Sequence, residues 1–216
     1  MRSGKPAAAF AVLLVVSFAT MNAMPSDTLL AAMLQEAVLA LVALVAVRFA
    51  VPDVLKRCTQ AVQQRNTVRF AAIALLLTGL IGGAVTLLTW LFADGGNVSG
   101  FVSAALPLAA GLIRNLLLLL GICLLTGVYE EAFMRVLGIE AFERALDTKR
   151  AILASAALFA LLHVGAPDVS AGQLVLLQTA LKFGQALLFG VILGALYART
   201  RRLWPCAFIH AGFDIL

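Results

Sequence analysis

Leu116-Leu-Leu-Leu-Leu-Gly-Ile-Cys-Leu-Leu-Thr-Gly-Val-Tyr-Glu130-Glu131-Ala-Phe-Met-Arg135 is the stretch whose reading decides the fold: an uncharged apolar run passes straight into two acids and an arginine. The run belongs to an apolar segment over 104–128, long enough to cross the roughly 30 Å hydrocarbon layer of a membrane as a helix. Four more segments of that kind lie at 7–24, 29–51, 69–93 and 173–198, and two shorter ones at 150–164 and 203–216. The chain is 62% hydrophobic and 12% charged, with a mean hydropathy of +1.02, which excludes a soluble globular domain. Helices satisfy their own backbone groups in lipid, and none of these runs alternates as a barrel strand would. The expectation is an all-α, polytopic transmembrane helical bundle of six to seven spans, forming a single membrane domain over 1–216.

The cations fix an expected orientation. They fall at the N-terminus (Arg2, Lys5), in 48–69 (Arg48, Lys56, Arg57, Arg65, Arg69), in 135–150 (Arg135, Arg144, Lys149, Arg150) and in 199–202 (Arg199, Arg201, Arg202). The alternate connections near 25–28, 94–103 and 165–172 carry none, so a seven-span layout puts 14 of the 16 cations on one side. The positive-inside rule makes that side cytoplasmic and the protein a multi-pass component of the cell membrane with a cytoplasmic N-terminus. The net charge of +5 is accounted for by this topology; it calls for a lipid bilayer as partner and for no nucleic acid. The first segment has the outline of a signal peptide, but Met21-Asn-Ala-Met-Pro25 offers no small-x-small site, and the reading is an uncleaved helix. Residues 136–149 place Val136, Ile139 and Phe142 opposite Glu140, Glu143 and Arg144, the pattern of a helix lying at the inner interface. Gly79-x-x-x-Gly83 and Gly190-x-x-x-Gly194 are packing signals. Cys58, Cys123 and Cys206 are scattered, which argues against a disulfide framework or a cysteine zinc site.

Ionisable residues within apolar spans are the informative anomaly, since each costs roughly 2.5–3.5 kcal/mol at mid-depth. Glu36 and Arg114 each follow the outer end of a span and are placed to pair. Lys182 shares a face with Gln178 and Gln185. Glu130 and Glu131 project about 100° apart on a helix; Glu131 can pair with Arg135 four residues on, which frees Glu130 to act as a general base on water. The chain has two histidines, His163 and His210, both in apolar helices, and Asp214, one turn past His210, can orient its ring. Taken singly, the acids read as a helix-end ion cluster and each histidine as a satisfied core residue. Their joint occurrence where helices can converge points to a site.

In this order on separate helices, Glu-Glu-x-x-x-Arg (130–135), Phe-x-x-x-His (159–163) and His-x-x-x-Asp (210–214) resemble the CPBP, or Abi, family of intramembrane proteases, which includes the type II CAAX prenyl endopeptidases. The resemblance covers about 104–216, a catalytic-core region that includes Phe189–Tyr197 and Leu203-Trp204, with 7–103 supplying N-terminal spans. It implies a glutamate-type endopeptidase in which Glu130 and His163 activate water, His210 and Asp214 stabilise the oxyanion, and Glu131 and Arg135 support the site. The expected partner is a peptide or protein substrate cut close to the membrane. An ionised Asp214 cannot donate to an oxyanion, so it is either protonated or serves to orient His210. No cofactor is expected. Two alternatives remain open: a zinc-dependent protease with Glu130, His163 and His210 as ligands, although no His-Glu-x-x-His occurs, and a non-catalytic regulator that binds a membrane partner protein. Transport is disfavoured, because the polar residues do not fall into two related halves. One conflict is left: His163 lies about 20 Å along its helix from Arg150, whereas Glu130 is only five residues from Arg135. The two meet only through tilt, a kink, or an Arg135 buried inside the bundle.

Overall fold

The apolar runs fold as helices because each closes its own backbone hydrogen bonds. The computed structural model describes residues 4–24, 27–57, 73, 112–164 and 173–215. Helix α1 (Lys5–Ala23) is followed by α2 (Leu29–Ala50), which Thr28 caps by accepting the Ala31 N–H at 3.1 Å, and by the short α3 (Pro52–Arg57). Helix α4 (Leu112–Glu131) continues as a π-helical stretch (Ala132–Ile139) and a last α-turn (Glu140–Phe142). Then come α5 (Thr148–Val164), α6 (Gln173–Thr200) and α7 (Leu203–Ile215). There is no strand among the described residues.

Among the described residues, four helical segments are long and apolar enough to cross a membrane: Lys5–Ala23, Leu29–Ala50, Arg114–Phe142 and Gln173–Thr200. The two shorter runs form α5, of 17 residues, and α7, of 13 residues. At 1.5 Å per residue these reach about 25 and 20 Å, short of a full hydrocarbon layer. The described residues therefore show four candidate spans and two shorter packed helices. The segment at 69–93, the start of the 104–128 run and the Gly79/Gly83 pair lie outside the described residues.

The π-helical stretch is the centre of the bundle. All eight of its residues are buried, and α1, α2, α5, α6 and α7 each pack against it. This corrects two expectations. Val136 and Ile139 do not belong to a separate interface helix; they are fully buried in the continuation of α4. Arg135, counted with the loop cations, is likewise fully buried. This span thus ends at Glu140–Phe142, and Glu130 lies about 15 Å back along it, at a level His163 can reach. Arg135 buried inside the bundle resolves the conflict of depth.

Two glycine seams set the helix approaches. A Cβ on Gly190 would lie 2.9 Å from the Ala156 Cβ, and one on Gly194 2.9 Å from Ile152 Cγ2, so α5 and α6 pack where the Gly-x-x-x-Gly pattern signalled. At Gly127 a Cβ would stand 2.6 Å from the Ala207 carbonyl oxygen, and only hydrogen there lets α7 lie against α4. Ser155 on α5 donates to the Met134 carbonyl at 2.6 Å, a backbone acceptor of the π stretch. The first helix packs into the bundle through Leu13, which is buried, and begins with Gly4 beside the Arg144 guanidinium. The starts of α1 and α5, the ends of α2 and α6 and the last α-turn Glu140–Phe142 thereby gather at one end of the molecule, where Arg48, Arg144, Arg150 and Arg199 also lie.

Candidate active site

Glu130 and Glu131 end α4 and point to different neighbours, as adjacent helical residues must. Glu131 is fully buried and serves two partners: its Oε2 is 3.1 Å from Arg135 Nε, and its Oε1 accepts from His210 Nδ1 at 2.8 Å. The Arg135 guanidinium stacks 4.6 Å from the Phe159 ring centre, and its three nitrogens are buried without an aligned hydrogen bond. The pair is held by charge at short range and by the aromatic face.

Glu130 is one-fifth exposed and faces the two histidines. Its Oε2 is 3.6 Å from His163 Nε2 and 3.4 Å from His210 Nε2, and that oxygen is buried with no hydrogen-bond partner. The ring orientations follow from the other nitrogen. His163 Nδ1 is 2.9 Å from the Phe159 carbonyl, an acceptor, so Nδ1 carries the proton and Nε2 is turned to Glu130. His210 is arranged the same way, with Glu131 as its acceptor. Three helices, α4, α5 and α7, thus bring two acids and two histidines from three sequence clusters to one point.

Aromatic rings hold this geometry. Phe159, the first residue of Phe-x-x-x-His, packs 4.1 Å from the His163 ring and 6.0 Å from the His210 ring, centre to centre. Phe189 on α6 meets the His210 ring edge-on at 4.8 Å and stacks on Phe213 at 4.6 Å. A cavity of about 320 Å³ opens beside Glu130 and His163. Its walls are Leu14, Phe18 and Met21 of α1, Tyr129 and Phe133 of α4 and its continuation, and Phe159 and Leu162 of α5. The Tyr129 hydroxyl is hydrogen-bonded to Ser17, the polar side chain that α1 adds to this wall.

The placement of Asp214 differs from the sequence reading. Its Oδ2 is 3.8 Å from His210 Nε2, and the side chain is 28% exposed. Glu131, at 2.8 Å on the opposite nitrogen, orients the ring instead. Glu36 and Arg114 do not pair among the described residues. Arg114 is exposed, and Glu36 is hydrogen-bonded to Thr126 with Glu130 and Asp214 as its charged neighbours. The reason is the facing of α2, which packs on α4 and turns Glu36 toward the site. Lys182 is exposed, while Gln178 and Gln185 are half-buried. Two further contributors, Gly127 and the Ser17–Tyr129 pair, carry no sequence signal of their role, whereas Glu36 was marked by its charge within an apolar span but not by its partners.

Cys206 is buried and Cys123 half-buried, and both are free thiols. Among the described residues, no group of three His, Cys, Asp or Glu side chains has the geometry to hold a metal ion.

A family model described as type II CAAX prenyl endopeptidase, Rce1-like, matches residues 112–216. That region begins with α4 and includes every residue of the Glu130, His163 and His210 cluster. No curated protein and no solved structure matches the chain.

Proposed function

Residues 112–216 belong to the Rce1-like family of type II CAAX prenyl endopeptidases, and from that premise we propose that this membrane protein hydrolyses peptide bonds by a glutamate-type mechanism centred on Glu130. The observation that carries the reading is the Glu130 Oε2 atom, buried and unpartnered between two ring nitrogens at 3.4 and 3.6 Å. A water held by Glu130 and His163 Nε2 gives its proton to Glu130 and attacks the scissile carbonyl. His210, doubly protonated in this step, keeps Nδ1–H on Glu131 and offers Nε2–H to the oxyanion. Arg135 balances the Glu131 charge, since both side chains are fully buried. Glu130 then passes its proton to the leaving amine. Asp214, at the exposed edge of the ring, contributes charge near His210 in place of a hydrogen bond.

The substrate in this reading is a peptide or protein segment close to the membrane, bound with an apolar side chain in the cavity beside Glu130. The end of the bundle that carries Arg48, Arg144, Arg150 and Arg199 is cytoplasmic by the positive-inside rule, and the N-terminus of α1 lies on that side.

The test is cleavage of a fluorogenic peptide library by detergent-purified protein, wild type beside Glu130→Gln and His163→Ala, with and without a zinc chelator. Cleavage should fall by about 10²–10⁴ in each variant, with expression and insertion unchanged, and should survive chelation. Full activity in Glu130→Gln would overturn the reading. Loss on chelation with recovery on added zinc would replace it with a zinc mechanism using Glu130, His163 and His210.

A further inference from the structure

Arg201 is the described non-glycine residue with a positive φ, at 50°. It sits immediately after α6, with its N–H on the Tyr197 carbonyl at 2.6 Å, the left-handed helix-stop position that glycine fills at least steric cost. A side chain is tolerated there only when its surroundings over-determine the conformation. Here they do. Arg201 Nη1 donates to Glu140 Oε1 at 2.7 Å and to Glu143 Oε2 at 3.0 Å, and Nη2 donates to Glu143 Oε1 at 2.7 Å. Two further hydroxyls bind the same carboxylates: Tyr197 donates to Glu140 at 3.1 Å and Thr148 to Glu143 at 2.8 Å. One side chain therefore joins the turn that follows the π-helical stretch, the start of α5 and the end of α6.

Only Arg201 and Arg202 connect α6 to α7. The direction in which α7 leaves this corner decides where His210, about 10 Å along it, meets Glu130 and Glu131. We propose that Arg201 is a positioning residue for His210: its fork on Glu140 and Glu143 fixes the left-handed corner that aims α7 into the site. This rests on the protease reading for its kinetic consequence, but its structural consequence can be measured without catalysis. Cys206 supplies that second readout. It lies on α7 between the corner and His210, fully buried, with its thiol on the Leu193 carbonyl at 3.7 Å and the Arg202 carbonyl at 3.8 Å.

Arg201→Gly separates the two roles of this position, since glycine keeps the helix stop and removes the fork. The experiment uses the full chain with Cys58 and Cys123 replaced by alanine, so that Cys206 is the remaining thiol, and compares wild-type Arg201, Arg201→Gly and Arg201→Lys. Measured are thermal unfolding, the rate at which a maleimide labels Cys206, and kcat and KM on the best library peptide. Expected for Arg201→Gly is a folded protein with a lowered unfolding temperature, because the buried Glu143 loses its cation, with Cys206 labelling about tenfold faster and kcat lower by about tenfold or more with KM within about twofold. Arg201→Lys, which keeps the charge without the planar fork, should fall between. Wild-type labelling and wild-type kcat in Arg201→Gly would overturn the proposal. Should Arg201→Gly fail to fold, Arg201→Lys carries the test, and wild-type values in both readouts overturn it. If the wild type cleaves nothing, the protease reading fails, while faster Cys206 labelling in the variants still upholds the corner.

Discussion

Two polar clusters, one joining α4, α5 and α7 and the other joining the chain after the π-helical stretch to α5 and α6, are built in opposite ways. The inner one, Glu130, Glu131, Arg135, His163 and His210, is fully buried on the Glu131–Arg135 side and has oxygen and nitrogen atoms with no aligned partner. The corner cluster, Glu140, Glu143 and Arg201, lies at the end of the bundle, with Arg201 and Glu140 about a quarter exposed, and its contacts are a forked set at 2.7–3.0 Å. A cluster whose function is to hold satisfies its atoms. A cluster that acts on something else leaves atoms unsatisfied, and Glu130 Oε2 is the clearest of these.

The contrast extends to protonation. Burial opposes the charge on Arg201, but the hydrogen bonds it donates to Glu143 and the charges of Glu140 and Glu143 outweigh it, so its guanidinium is held above the ordinary arginine range. A cation whose folded value is raised contributes stability that is complete below its unfolded value and is lost only as pH rises through the folded one. On the cation's side, then, the corner does not open at any pH the enzyme meets.

The comparison breaks most visibly at Arg135. Arg135→Ala leaves Glu131 buried without its cation, and removing one member of a buried pair costs about 3–5 kcal/mol. Thermal unfolding in detergent should show a larger loss than for any other single substitution in either cluster. A loss below about 1 kcal/mol would mean that the Glu131–His210 contact alone balances the carboxylate, and that the inner cluster is less dependent on pairing than its burial implies.

Gly127 tests the α4–α7 seam beside the inner cluster. Gly127→Ala places a methyl group 2.6 Å from the Ala207 carbonyl oxygen, a backbone atom that cannot swing away. The expected cost is about 1–3 kcal/mol. Because α7 must retreat from α4, the Glu131–His210 contact lengthens, and kcat should fall together with stability. A variant that is destabilised but fully active would show that α7 can slide without moving His210.

Much of the inner cluster was legible because its residues are chemically improbable in an apolar chain. Glu130, His163 and His210 stand out from any hydropathy reading, and the structure brings them within 3.6 Å of one another through Glu130. The second duty of Glu131 was not legible, since its partner lies 79 residues away. Arg135 misled for a physical reason: hydropathy assigns an arginine to a loop, and only the surrounding helices reveal that Phe159 and Glu131 hold it inside. The corner escaped altogether. Glu140 and Glu143 have a regular amphipathic spacing that suggests a surface helix, and nothing local marks Arg201, 58 and 61 residues away from them, as their partner. The fold class followed from composition. Helix length was less legible: α5 and α7, read as short apolar runs, fold as packed helices of 17 and 13 residues.

The smallest expected effect sharpens the corner by giving it a reference. Arg150 and Asp147 form a pair at the start of α5, Nε to Oδ2 at 3.3 Å, with side chains 76% and 58% exposed. Asp147 also caps α5, accepting the Arg150 N–H at 3.0 Å. These two roles separate under substitution. Asp147→Asn keeps an oxygen for the cap and removes the charge, so it should cost under about 0.5 kcal/mol, since an exposed pair is worth little. Asp147→Ala removes the cap as well and should cost about 1 kcal/mol. Neither should move Cys206 labelling or kcat, because this pair joins residues of one turn, whereas Arg201 joins three helices. Were Asp147→Asn to slow cleavage as much as Arg201→Gly, charge near the bundle end would be the active variable, and the geometry of the fork would lose its special standing.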